Sequence, residues 1–536
     1  MLNTIPRPRA KLRGPALLAP LARYLIAVGA TVALLVTSAI PVRAGEQEHH
    51  HYKLIDIGTF GGPASYFNAL LDGGFFSTAN VMNKNGTFAG WADTPAADSF
   101  PPPFCFNPDC SVSHALKWDS GVSTDLGSLA DGWSSAASWI NNRGDIVGVS
   151  QNGVIDPLVG FSEERAVLWH DGQMIDLRTL GGNQSSAAAI NNHGRVAGFA
   201  LSDVPDPFSM YYQFLYCLPF QICPPNATAA RAFVWDEKDG MQDIGTLGGP
   251  DSLAFFVNDR GQVAGFSYTN STVNATTGLP TFHPFLWEKG QGMLDLGTLG
   301  GTVAQAVNGM NERGEVVGST TMAGDQTHHP FLWDGKQLID LGTFGGPNGE
   351  ADWVNDAGEV VGIAQPTTFC AGGNGGHAFL WQRGVLTDLG TTAGFGNSEA
   401  TYINSKTQVV GYSFTCDFSA IDAFLWENGS NVDLNTLTLP SSGVQLLFAL
   451  FIDDNGEIAG YGLLPNGDLH AVLLIPCDDN HPNVEGCDYS PLEVHAVAAS
   501  HATKATRQKQ LTPQEMSRIR DLLMNRHRGF MSRTMH

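Results

Sequence analysis

Apolar and polar positions alternate in short bursts along most of this chain, and the bursts recur in one cyclic order. An apolar stretch ends at Asn or Asp, Gly follows three residues on, and a β-branched stretch such as Glu315-Val316-Val317 returns. A continuous F-L-W run comes next, and a D-L-G phrase closes the cycle. Met293–Trp333 is the most regular copy. Eight copies have their reference residue at Asn83, Asn141, Asn191, Asn258, Asn311, Asn355, Asn404 and Asp453. Gly stands three residues later in seven of them, Thr407 being the exception, and seven residues later in all eight. An apolar residue precedes each reference residue, and Ala stands four before it in seven copies, with Val307 in the eighth. Coincidence at this many positions marks a structural repeat.

Each copy predicts four strands. Strand A ends at the reference residue, and strand B returns after a tight Gly-containing turn. Strand C is the F-L-W run, apolar enough to be covered on both faces. Strand D carries D-L-G seven or eight residues after the Trp of strand C, a spacing that forces a hairpin. Four short strands per repeat predict an all-β fold, a β-propeller. D strands number eight and A–B–C sets number eight, but the chain starts with a lone D strand, Tyr52–Ile57, and ends with a lone A–B–C set, Ala449–Ile475. Pairing these ends gives eight four-stranded blades with a split closing blade and no exposed seam. Seven blades with one aberrant copy is the alternative, and an open solenoid comes third.

Composition adjusts this picture at the ends. Residues 1–44 hold six Lys/Arg and no acid, and an apolar run from Tyr24 to Ile40 precedes Val42-Arg43-Ala44. This predicts a signal peptide cleaved after Ala44 and an extracellular or periplasmic mature chain. An uncleaved anchor is the competing reading. The expected domains are 1–44 signal, 52–476 propeller, 477–511 a disulfide-clamped loop and flexible linker, and 512–526 a short basic helix started by Thr512-Pro513-Gln514-Glu515.

Removing the basic ends leaves 15 Lys/Arg against 48 Asp/Glu in the middle of the chain. That sign excludes nucleic acid as partner, because phosphates demand clustered cations. Export permits disulfides, and position in the chain pairs Cys105 with Cys110, Cys217 with Cys223, Cys370 with Cys416 and Cys477 with Cys487.

The phrases His377-Ala378-Phe379, Asp295–Gly301 and Ile190–Gly198 resemble the HAF-repeat family of extracellular bacterial proteins over about 52–476. The resemblance implies secretion and repeats, and it brings no catalytic residues. Arg165, Arg231, Pro284, Pro330 and Asp422 depart from the H-A-F phrase.

Function is expected where the copies differ. From the last Gly of the turn motif to the Trp or Leu of strand C the copies span 28, 21, 37, 22, 15, 19, 15 and 14 residues. The variation therefore lies in the B–C connections, and loops on a rigid scaffold are where binding concentrates. The longest inserts, Ala92–Ser113 and Ala200–Ala230, carry Phe104, Phe106, Tyr211, Tyr212, Phe214 and Tyr216, which we expect to form a recognition rim for a protein or glycan ligand on a monomeric, secreted binding module. The alternative is a polysaccharide hydrolase or lyase at the central mouth.

No catalytic constellation and no metal site is expected. The recurrent Asp of D-L-G is read as a structural acceptor, and His114, His283, His329, His377 and His470 as structural, one per copy rather than one metal cluster. No cofactor is expected, although Asp453–Glu457 hints at bound calcium; a hairpin turn is the simpler reading.

Overall fold

The computed structural model describes residues 49–67, 80–101, 104–107, 109–217, 221–275, 277–370, 375–439, 442–482, 484, 485, 487, 511, 512, 515 and 516. The expected signal peptide, the linker up to 510 and residues 517–526 of the expected helix lie outside the described residues.

Strands A to D lie side by side and antiparallel, as in Ser135–Ile140, Ile146–Ile155, Ser162–His170 and Gln173–Asp176. Among the described residues the strands form six four-stranded sheets and one eight-stranded sheet. The larger sheet is two A–D runs joined through a single parallel pair, Phe282 with Val303. The architecture is a β-propeller. Its closing sheet contains the lone D strand Tyr52–Asp56 beside Leu469–Pro476, with Tyr52 opposite Pro476 and Asp56 opposite Val472.

Closure is also visible in the side chains between neighbouring copies. In several copies a Ser on strand A takes the amide N–H at the middle of the previous strand C: Ala115 N to Ser135 Oγ at 2.9 Å, Ala166 N to Ser185 Oγ at 2.9 Å, Ala378 N to Ser398 Oγ at 2.9 Å. Ala471 N donates to Ser65 Oγ at 3.0 Å in the same way, so the last copy makes this link to the first.

The recurrent glycines have separate causes. The Gly three after the reference residue adopts a left-handed φ, for example +80° at Gly314, and Thr407 is held at +62° in the same place. The Gly seven after it lies against strand A: a Cβ at Gly318 would stand 2.1 Å from the Ala306 carbonyl oxygen, and one at Gly148 2.0 Å from that of Ala136. A bulge in strand A follows immediately, between Ala137 and Trp139 in one copy and between Ala351 and Trp353 in another. In the first copy a Cβ at Gly90 would likewise stand 2.3 Å from the Tyr66 carbonyl oxygen.

The core is distributed between blades. Phe233, Phe285, Phe331, Phe379 and Phe424 of strand C are all fully buried, and each contributes about 2 kcal/mol of transfer free energy. All four expected disulfides are present: Cys105–Cys110, Cys217–Cys223, Cys370–Cys416 and Cys477–Cys487. Near the C-terminus Thr512 N donates to Glu515 Oε2 at 2.6 Å and Glu515 N to Thr512 Oγ1 at 3.2 Å, a reciprocal capping box. The preceding Leu511 is buried in an apolar cluster with Phe414, Phe418 and Leu469, so this part of the tail docks on the ring.

Candidate functional site

Because strands alternate in direction, the A–B and C–D hairpins open on one face, and the B–C and D–A connections on the other. The two faces carry different chemistry.

On the A–B face, the reference Asn does three jobs in its own turn and the next. Asn311 Oδ1 accepts the N–H of Arg313 and of Glu315, both at 3.0 Å, which fixes the hairpin. Its Nδ2 donates to the carbonyl of Asn355 in the next copy at 2.9 Å. The same link runs from Asn83 to Asn141, to Asn191, to Asn258 and to Asn311, then from Asn355 to Asn404 and from Asn404 to Asp453. Asp453 has acceptor oxygens only, taking the N–H of Asn455 and of Glu457 at 2.8 Å, and so has no donor with which to extend the ladder to Asn83. The Asp453–Glu457 segment is thus a hairpin turn of the common type. Among the described residues no group of three or more His, Cys, Asp or Glu is placed to hold a metal ion.

Inside this ladder lies a central cavity of about 480 Å³. Its lower wall is aromatic: Trp139, Phe256, Trp353, Tyr402 and Phe451, each two residues before a reference residue. Trp353 stacks on Tyr402 with centroids 4.5 Å apart, and Tyr402 meets Phe451 at 4.6 Å. Its lip carries Asp259, Glu312, Asp356, Asp453 and Asp454 against a single cation, Lys84. Four lip carboxylates are fixed by backbone donors of the preceding copy: Asn192 N donates to Asp259 at 2.8 Å, Asp259 N to Glu312 at 2.9 Å, Glu312 N to Asp356 at 2.9 Å and Ser405 N to Asp454 at 2.9 Å. Desolvation, and then the charges of Asp259 and Asp356, hold the Glu312 carboxyl above the ordinary range. Burial first, then Asp454, Asp356 and Asp453, push the Tyr402 phenol far up.

On the opposite face the first three copies build one wall. The expected rim residues are distributed unevenly within it. Phe106, Tyr211, Tyr212 and Phe214 are buried, packing inside the inserts and against the blades: Phe106 meets Trp91 at 6.2 Å, Phe214 meets Phe282 at 6.2 Å, and the Tyr212 hydroxyl donates to Asp156 at 3.4 Å. Phe104 and Tyr216 remain half-buried. Between them stands Phe161 of the second copy, stacked on Phe104 at 4.5 Å and on Tyr216 at 6.0 Å, with interplanar angles of 17° and 6°. Phe104 and Tyr216 each adjoin a disulfide cysteine, Cys105 and Cys217. Three parallel rings from three copies thus form a pinned column. Phe161 escapes sequence reasoning because it sits in a shorter insert without cysteines.

The recurrent His and Asp form dyads on the blades. His114 Nδ1 lies 2.9 Å from Asp125, His283 2.9 Å from Asp295, His329 3.0 Å from Asp340, His377 2.7 Å from Asp388 and His470 2.8 Å from Asp56. Each of these carboxylates also accepts the N–H two residues on, as Asp388 does from Gly390 at 2.7 Å. The dyads join strands C and D within a copy and do not converge. Where Asp422 replaces His, it faces Asp433, and burial, then that charge, push it up to about 7.

No family model matches the sequence, and no curated protein matches it. In structure the chain is similar to a gluconolactonase from Xanthomonas campestris, at 10% identity over 58% of this chain and 78% of that one, with a TM-score of 0.24. It is similar also to Trypanosoma rangeli sialidase, at 9% identity and a TM-score of 0.26. That alignment takes in 79% of this chain and 59% of the sialidase.

Proposed function

We propose that this protein is a secreted binding module, built on an eight-bladed ring, that grips a glycan or protein ligand with the wall raised by its first copies. The observation that carries this reading is the column Phe104–Phe161–Tyr216, partly open to solvent and held by neighbouring disulfides. Flat, pre-ordered rings offer apolar area with little loss of side-chain entropy on binding, and they suit the faces of sugar rings better than an extended peptide. Secretion rests on the basic and apolar N-terminal pattern together with four disulfides. It agrees with the HAF-repeat resemblance. Among the described residues no helix is long and apolar enough to cross a membrane.

The test is a glycan array probed with the intact protein and with a Phe104→Ala/Phe161→Ala/Tyr216→Ala variant. The expected result is a glycan class retained by the first and lost by the second. Equal retention by both removes the column from the reading.

A second reading, polysaccharide cleavage at the central mouth, draws on Glu312, a carboxyl that burial, then the charges of Asp259 and Asp356, hold above its ordinary range. Turnover in a polysaccharide-degradation panel that disappears in Glu312→Gln would favour it.

A further inference from the structure

The mouth on the A–B face combines features that the binding wall does not need. A propeller bore is filled most simply by small residues, and three copies do place Val81, Ala189 and Gly309 two residues before the reference position. The other five place an aromatic ring there, and all five reach the same cavity. The small residues make the room: a Cβ at Gly309 would already stand 3.2 Å from Trp353 Cε3. Phe256 and Phe451 are buried, while Trp139 and Tyr402 stay partly open. The result is a bowl with aromatic sides.

Its lip is acidic for a reason independent of the belt, because Asp259, Glu312, Asp356 and Asp454 each stand one position after a reference residue. In three copies an Arg stands one position further along and is directed elsewhere, while His193 at that position lies 3.9 Å from Asp259. Arg143 pairs with Asp145 at 2.7 Å, Arg313 with Glu315 at 2.5 Å, and Arg260 donates to the Arg313 carbonyl at 3.3 Å. Aromatic rings below and carboxylates above attract one class of ligand, a compact cation whose surface is apolar. A bare metal ion would want converging oxygens, which the spaced lip does not supply. A cavity of about 480 Å³ fits a small molecule rather than a folded partner.

We propose that this mouth is a binding site for a small quaternary-ammonium compound, with its cationic head against Trp139, Trp353 and Tyr402 and inside the ring of Asp259, Glu312, Asp356 and Asp454. The rings supply the apolar, polarisable wall, and the lip supplies long-range attraction that salt weakens.

Choline is the probe. It is titrated into the full protein and followed by calorimetry and by the fluorescence of the mouth tryptophans. Its neutral analogue, in which carbon replaces the quaternary nitrogen, is the control. We expect saturable binding in the millimolar range or tighter, with the neutral analogue weaker by roughly tenfold. Glu312→Gln/Asp356→Asn keeps an acceptor for each backbone N–H and should weaken choline by roughly three- to tenfold. Tyr402→Leu should weaken it at least as much, and Phe161→Ala on the other face should leave it unchanged. Absence of choline binding, equal binding of the neutral analogue, or full affinity in the carboxamide variant overturns the proposal. The carboxamide variant decides the matter if Tyr402→Leu does not fold.

Discussion

At the A–B hairpins seven copies make the same Asn link to the copy that follows, whereas the B–C connections of the first copies each solve a different packing problem. Asn141, Asn191 and Asn258 make equivalent links one copy apart. Phe104, Phe161 and Tyr216 occupy unrelated positions in their inserts and meet only because the ring sets the inserts side by side. Repetition makes one face a scaffold with a uniform bore, and departure from repetition makes the other a surface. Side chains on the repetitive face are constrained by their neighbours through the backbone; those on the variable face are constrained mainly by one another.

The largest expected effect separates these two kinds of constraint. Gly318→Ala puts a methyl group 2.1 Å from a backbone oxygen that strand pairing holds in place, so it should cost more than about 3 kcal/mol in denaturant unfolding. Val154→Ser, at an insert tip that is 51% exposed, should change stability by less than about 0.5 kcal/mol. Comparable losses from the two would erase the distinction.

A smaller effect concerns the copy that breaks the His–Asp rule. Burial, then the charge of Asp433, push the folded Asp422 carboxyl up to about 7, whereas an unfolded Asp lies at ~3.9. Between those values the folded chain keeps a proton that the unfolded chain releases, so stability falls as pH rises through this window. Asp422→His should flatten the decline and raise neutral-pH stability by on the order of 1 kcal/mol. A midpoint-against-pH series on both proteins checks this, and an unchanged slope would rule out the carboxylate pair as its source.

The smallest effect would complete the scaffold. Asp453→Asn supplies the missing donor toward Asn83 and should add about 0.5–1.5 kcal/mol. A Cβ at Gly86 would stand 3.6 Å from Glu457 of the last copy, much as one at Gly456 would stand 3.8 Å from Gln408, so the two copies are at working distance. Thermal unfolding of the single variant reads this out, and destabilisation would show that the seam differs from the other junctions.

Much of this was legible in the residues. The strand order, the closing pair Tyr52–Asp56 with Leu469–Pro476, and the disulfides follow from spacings repeated in eight copies and from cysteines placed close together or at equivalent points. The rim was legible only as aromatic content. An aromatic residue in an insert carries no mark of whether it will face solvent, and Tyr212 buries itself by reaching Asp156 of another copy. The aromatic belt did leave a mark, since it occupies one column of the repeat. That column mixes Trp, Phe and Tyr with Ala, Val and Gly, so it looks unconstrained by size. The bulge beside it also disturbs the plain alternation that would tell the inward side from the outward one.

The antiparallel register of the closing pair has a mechanical consequence. Tyr52 sits opposite Pro476, so the polypeptide enters and leaves the ring at the same end of one two-stranded ribbon. A load applied across those two points would not shear the ribbon's hydrogen bonds together. It would peel them singly, starting at Tyr52, and leave the other blades unloaded until the ribbon had opened. The Cys477–Cys487 loop and the bond from Cys477 N to the His51 carbonyl at 2.8 Å stand directly at that point of first opening.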